Sequence, residues 1–116
     1  MSRSVGTWGE AQVANYLRKN RYRLVAHSYH CRFGEIDLIA MDGKTLCFVE
    51  VKTRSTLSMG LPREYVNAAK QERIRKTALF YLSEKELDCP MRFDVAEVYQ
   101  SGSGALERIE YIKNAF

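Results

Sequence analysis

Two short runs in this chain carry acidic and basic side chains at spacings suited to phosphodiester chemistry: GEIDLIA over residues 34–40 and FVEVKTR over residues 48–54. Both runs are rich in Ile, Leu, Val and Phe and alternate in polarity. They flank Asp42-Gly43, a pair that tolerates the positive φ angles of a two-residue loop, so residues 35–41 and 45–53 read as an antiparallel hairpin. With Asp42 and Gly43 as the whole loop, Met41 faces Lys44, Ile39 faces Leu46, Asp37 faces Phe48 and Glu35 faces Glu50. Side chains alternate between the faces of a strand. Asp37 and Glu50 then share one face as diagonal neighbours, their β-carbons about 7–8 Å apart, and Lys52 follows Glu50 on that face. Ile36, Leu38, Val49 and Val51 fill the other face. A slip of one residue would send Asp37 to the side opposite Glu50.

A hard cation such as Mg²⁺ takes oxygen ligands, usually one or two carboxylates completed by water and substrate phosphate. Asp37 and Glu50 supply such carboxylates. The ion neutralises a phosphate and acidifies a water, and Lys52 orients that water or stabilises the negative charge of the transition state. The bland alternative is a half-exposed antiparallel sheet, in which Glu50-Val51-Lys52 marks only surface ion pairs of little worth. Glu35, Asp37 and Glu50 together beside one lysine concentrate like charge and call for a cationic partner, which favours the functional reading.

A second acid stands apart from the hairpin. The pattern from Val5 to Asn20 is helical, with Val13, Ala14 and Leu17 on one stripe, and Glu10 falls within that stripe. A carboxylate on an apolar face costs free energy unless it is paired or metal-bound; otherwise Glu10 simply complements the helix dipole in a first turn. Gly6 and Gly9 weaken the helix locally and leave room for close approach of another backbone or a ligand.

The remaining elements must position these groups. Tyr22 to Tyr29 is expected as a first strand leading through Arg32 and Phe33 into the hairpin. Arg54 to Pro62 is the most loop-like stretch. A second helix is expected from about Arg63 to Glu84, with Pro62 near its start and Ile74, Ala78, Tyr81 and Leu82 on one face. Earlier on that face come Asn67, Lys70 and Gln71, which places Lys70 for a phosphate and Gln71 for a site carboxylate, against the alternative of a solvated helix end. Arg73, Arg75 and Lys76, mixed with Glu72, spread around the helix as surface charge. Strands at Met91–Tyr99 and Leu106–Lys113 follow, separated by Ser101-Gly102-Ser103-Gly104. Asp94, mid-strand among apolar residues, is expected to hold a structural hydrogen bond. Helix, three strands, helix and two strands make one α/β domain over residues 1–116, a mixed central sheet with a helix on each face.

Composition agrees with a small globular enzyme. Hydrophobic residues make up 46% of the chain, enough for one core. Eighteen Lys and Arg against 14 Asp and Glu give a net charge of +4, and because four of those acids (Glu10, Glu35, Asp37 and Glu50) are site candidates, the remaining surface is more basic than the total suggests. That balance is compatible with nucleic acid. Cys31, Cys47 and Cys89 are odd in number and lack CxxC spacing, which argues against a disulfide framework or a zinc site; Cys47 reads as packing. No apolar stretch approaches the ~18 residues of a membrane helix, and no apolar leader segment is evident. A cytoplasmic protein is expected.

GEIDLIA and FVEVKTR, preceded by Trp8-Gly9-Glu10-Ala11 and Ala14-Asn15-Tyr16-Leu17, resemble the YraN-like family of small bacterial proteins. The likeness extends through Lys70-Gln71, Ala78, Tyr81-Leu82, Arg92-Phe93-Asp94-Val95 and Asn114-Ala115-Phe116. That family is similar to the PD-(D/E)xK nuclease superfamily and to archaeal Holliday-junction resolvases. The resemblance implies a restriction-endonuclease-like core and a catalytic set of Asp37, Glu50, Lys52 and Glu10. It also implies Mg²⁺ or Mn²⁺ held by Asp37, Glu50, Glu10 and Val51, with nucleic-acid contacts from Arg32, Arg54, Lys70 and Gln71. Ile36 stands where the superfamily name has proline, and Ser28-Tyr29-His30 lacks an arginine that the family places before the hairpin.

The chain therefore reads as a metal-dependent DNA endonuclease, acting on branched or otherwise structured DNA, with a homodimer plausible for so small a domain. The rival is a nucleic-acid-binding or protein-interaction module that keeps the nuclease fold without turnover. A glycosidase with paired carboxylates has no use for Lys52 and needs a deeper cleft.

Overall fold

The computed structural model describes residues 7–55 and 66–116. The expected helix start at Val5 and Gly6, residues 56–62 of the expected loop and residues 62–65 at the expected start of the second helix lie outside them. Helix α1 spans Trp8–Lys19. Its first turn is capped by Thr7, whose hydroxyl accepts the Glu10 N–H at 3.1 Å, and Arg18 and Lys19 in the last turn complement the helix dipole. The buried face holds Val13, Ala14 and Leu17, the stripe anticipated from spacing, together with Gly9.

Strands β1 (Arg23–Cys31), β2 (Gly34–Asp42) and β3 (Thr45–Ser55) follow, then helix α2 (Ala68–Glu84) and strands β4 (Met91–Gln100) and β5 (Leu106–Ile112). The sheet runs in chain order, β1 to β5. All neighbours are antiparallel except β3 and β4, a parallel pair that requires a crossover, and α2 lies in it. The five-stranded mixed sheet with two helices is the restriction-endonuclease-like α/β core expected.

Each helix covers one face. Val13 and Leu17 of α1 pack with Leu38, Ala40, Cys47, Val49, Ala96 and Val98. Ile74, Ala78 and Tyr81 of α2 pack with Ile36, Ile39, Leu46, Phe48 and Phe93 on the other side. Strand β3 alternates strictly between the two clusters, as a central strand buried on both faces must. Cys47 is fully buried, in keeping with a packing role. Among the described residues no helix is long and apolar enough to cross a membrane.

The hairpin differs from the sequence reading in register. Its loop is Gly43-Lys44, closed by Asp42 opposite Thr45, and Gly43 takes φ +63° while Lys44 does not adopt positive φ. Glycine at the first loop position is the preference of a type II′ turn, and Asp42 is drawn into the strand by an ion pair to Arg92 at 2.9 Å. Ile39 therefore faces Phe48, and Leu38 faces Val49. The loop keeps an even length, so β3 presents the anticipated residues to each side. Strand β2 does not. Ile36 and Ile39, three apart, both enter the α2-side core, so Ile36 leaves the face assigned to it with Leu38, and alternation breaks across Asp37. The strand opposite is irregular too, with Ser28 at φ +49° and a register shift between Leu24 and Ala26. Arg54 and Ser55, read as loop, extend β3 because they pair with Tyr99 and Gln100 of β4.

Asp94 has the structural role its setting suggested. Fully buried, it accepts from Arg92 Nε at 3.0 and 3.2 Å, Tyr111 Oη at 2.5 Å and the Asn114 N–H at 2.9 Å. Arg92 continues to Asp42 at 2.9 Å and to the Tyr22 hydroxyl at 2.7 Å. Removing one partner of a buried ionic network strands the other charge. Asp94→Ala is expected to lower the unfolding free energy by about 3–5 kcal/mol in urea denaturation, and Asp94→Asn, which keeps an acceptor, by less.

Candidate active site

The β2–β3 ladder stops at Leu38 and Val49, one pair short of Asp37 and Glu50. Beyond that point β2 stays with β1, where Ile36 pairs with Tyr29 and Glu35 with His30. The two central strands fork. At the mouth of the fork Asp37 Oδ2 accepts the Val51 N–H at 2.8 Å, so a carboxylate takes the place of a ladder carbonyl and fixes both strands.

In this register Asp37 lies across from Glu50 rather than diagonally from it. Glu35 does not join them. It is exposed and pairs with His30 at 3.5 Å, because pairing with β1 carries it away from β3. The cationic partner demanded by the acids comes from α2 instead: Lys70 Nζ lies 2.8 Å from Glu50 Oε2. Asn67 caps α2 by accepting the Lys70 N–H at 2.9 Å, which fixes the lysine backbone in the first turn.

From the other face α1 brings Glu10 toward Asp37. The helix comes this close because residue 9 is glycine: a Cβ there would run into Thr53 Oγ1 and lie 3.5 Å from Val51 Cγ1. The sequence hint of a close approach holds at Gly9, while Gly6 lies outside the described residues. Glu10 accepts from the Ser28 hydroxyl at 3.3 Å, and the left-handed backbone at Ser28 is part of the β1 irregularity opposite Asp37.

The three carboxylates resist ionisation. Burial raises the Glu10 pKa, and the Asp37 charge raises it further. Burial raises Asp37 against the opposing pull of the Val51 N–H and Lys70. Burial, then the Asp37 charge, raises Glu50, which is only 8% exposed. Burial alone would depress Lys70, but the hydrogen bond and charge of Glu50 outweigh it and lift that pKa.

Lys52 follows Glu50 on the α2 side of β3, opposite Glu97 of β4. It borders a cavity of about 260 Å³ that Gln71, Val95 and Glu97 also line. Arg54 is turned to the buried Glu97 at 3.4 Å. Gln71 Nε2 donates to the Val66 carbonyl at 2.9 Å rather than to a site carboxylate. Arg32 stands at the β1–β2 turn with its guanidinium over Phe33 and Phe80. Sequence reasoning missed Ser28, the Lys70–Glu50 pair and Glu97. The last had a signal, an acidic residue between Val95-Ala96 and Val98-Tyr99 in β4.

Among the described residues no three carboxylate, imidazole or thiol side chains already converge on one point to cage an ion. Mg²⁺ does not need such a cage, since it keeps several waters and takes one or two carboxylates. Asp37, half-buried, and Glu50, buried, are opposed and hard in donor type and fit that demand. Val51 has only its backbone carbonyl to add.

The model for the uncharacterised protein family UPF0102 matches residues 9–98. A UPF0102 protein of Alkaliphilus metalliredigens is 46% identical over 117 residues, covering 100% of both chains. One of Syntrophus aciditrophicus is 50% identical over 112 residues, 96% of this chain and 87% of its own. One of Geobacter metallireducens is 43% identical over 116 residues, 99% and 93% respectively.

The raised carboxyl pKa values give stability a pH dependence. Groups that hold protons more tightly folded than unfolded stabilise at acid pH, and that contribution is lost as pH rises from the ordinary carboxyl range through the raised values. The raised Lys70 pKa acts in the alkaline range: its contribution is complete below the ordinary lysine value and is lost above the raised one. In EDTA at about pH 8, Asp37→Asn is expected to raise Tm by ~3 °C and to flatten the decline of Tm with pH, as read by thermal melts across the pH range.

Proposed function

The chain belongs to the UPF0102 family, and we propose that it is a divalent-metal-dependent DNA endonuclease that hydrolyses phosphodiester bonds at the fork between β2 and β3. The observation that carries this reading is the placing of two carboxylates, half-buried Asp37 and buried Glu50, on facing strands where the ladder opens, with Lys52 next on the same face of β3. A stable structural ion pair has no need of two facing acids. A metal-phosphate site does.

Asp37 and Glu50, with the Val51 carbonyl, would hold Mg²⁺ or Mn²⁺, which supplies positive charge to a phosphate and acidity to a water. Asp37 is kept in position by the Val51 N–H, so its second oxygen is free of any rotameric search. Lys52 projects from the same side of β3 as Glu50 and donates to a phosphate oxygen or orients water as charge builds in the transition state. Glu10 acts on Asp37 from α1, holding or releasing a proton next to it. Lys70 and Lys52 give an otherwise acidic fork the positive charge that a DNA backbone requires. Arg32, exposed at the turn between β1 and β2, extends this path, while Arg54 contributes indirectly by neutralising Glu97.

DNA with branched or single-stranded character suits a domain of this size, and a second copy of the chain would extend the contact along a duplex. The test is cleavage of labelled linear, single-stranded, flap and four-way-junction DNAs with Mg²⁺ or Mn²⁺. Wild type is expected to cut at least one of them, and Asp37→Ala and Lys52→Ala to lose about 10²-fold or more in rate. DNA binding without cleavage, unchanged in both variants, would replace the enzyme with a binding module.

A further inference from the structure

Lys70 stands where a catalytic cation would be expected to act. Its ammonium lies 2.8 Å from Glu50 Oε2, the more buried of the two facing carboxylates, and its charge also reaches Asp37. We propose that Lys70 is the resident counter-ion of these carboxylates before metal binds and that a divalent ion entering between Asp37 and Glu50 displaces its ammonium, which then serves the phosphate of the bound strand. This assignment rests on the metal-dependent reading of the fork and adds to it a second position for Lys70.

Three features make the exchange possible. The first is an imbalance in freedom: the Glu50 side chain is 9% exposed and cannot leave, whereas the Lys70 side chain is 36% exposed. The Lys70 backbone is pinned by the Asn67 cap, so only a flexible four-carbon stem carrying a compact point charge has to move.

The second is the position of the lysine in its helix. Lys70 occupies the first turn of α2, which contains no acidic residue. A cation at a helix N-terminus opposes the macrodipole, so nothing in α2 itself favours a lysine there. The Glu50 carboxylate offsets that cost while it is paired with Lys70, and an anionic phosphate would offset it once the carboxylate is taken.

The third is charge. A buried Glu50 facing half-buried Asp37 is destabilising when no cation stands beside it, and the ammonium lets the fork form before metal arrives. A divalent ion brings a greater charge to the same carboxylates and releases the monovalent one.

Two readouts other than cleavage test this. In the wild-type protein, the Lys70 Nζ resonance followed by lysine-selective NMR is expected to shift from an ion-paired to a solvent-exposed position as Mg²⁺ is added. In calorimetric titration, Lys70→Met, which keeps the stem and removes the charge, is expected to bind Mg²⁺ about tenfold more tightly than wild type because no charged hydrogen bond has to be broken. Mg²⁺ binding by wild type with an unmoved Nζ resonance and equal affinity in Lys70→Met would overturn the exchange and leave the metal site standing. Absence of Mg²⁺ binding in both proteins would overturn the metal reading and the exchange with it. The NMR titration needs no variant, so a failure of Lys70→Met to fold would not shield the proposal.

Discussion

The hydrogen bond from the Val51 N–H to Asp37 holds the candidate site together. Where β2 leaves β3, a half-buried backbone donor on the central strand loses its ladder partner, and a donor withdrawn from water must be satisfied. Asp37 satisfies it with a carboxylate. The same contact fixes that carboxylate opposite Glu50 and draws acid into a part of the sheet where water is scarce. The raised carboxyl pKa values, the approach of Glu10 and the need for Lys70 all follow from that placement.

The two helices serve the fork from opposite faces. Helix α1 comes close through Gly9 and delivers Glu10, whose other contact is Ser28 at the irregular point of β1. Helix α2, anchored by Ile74, Ala78 and Tyr81 in the second core, delivers Lys70 from its capped first turn. At the opposite end of the sheet, Asp94, Arg92, Tyr22, Asp42 and Tyr111 bind the hairpin end to β4 and β5. The site is thus held at its open end by one backbone contact and braced from the closed end by a buried ionic network.

Much of this was legible in the residues. Strand and helix order, the Val13, Ala14 and Leu17 stripe and the α2 core face follow from period alone, because each of those elements has one dry side. Glu50 and Lys52 lie on the strand face that alternation assigns them, since β3 alternates without interruption. Asp37 was harder. Its position depends on where β2 and β3 part, and that is set by β1, whose bulge and positive φ at Ser28 carry no sequence signature. Glu35 reads as a site residue for the same reason: the hairpin rule continues a ladder that the fold ends. The turn shifted by one position because Asp42 is recruited by Arg92, fifty residues away in sequence, a tertiary demand that no local preference for Asp-Gly reveals. Lys70 was found as a candidate, but its partner was not, since spacing within a helix says nothing about which strand lies beneath it.

Under the proposed function, the opened end of the β2–β3 ladder is a cation site made by Asp37 and Glu50. Anomalous diffraction from crystals grown with Mn²⁺ addresses it most directly. An anomalous peak bonded to both carboxylates is expected, with the Lys70 ammonium moved off Glu50. Crystals saturated with Mn²⁺ that show no peak between these carboxylates, with Lys70 still paired to Glu50, would contradict it.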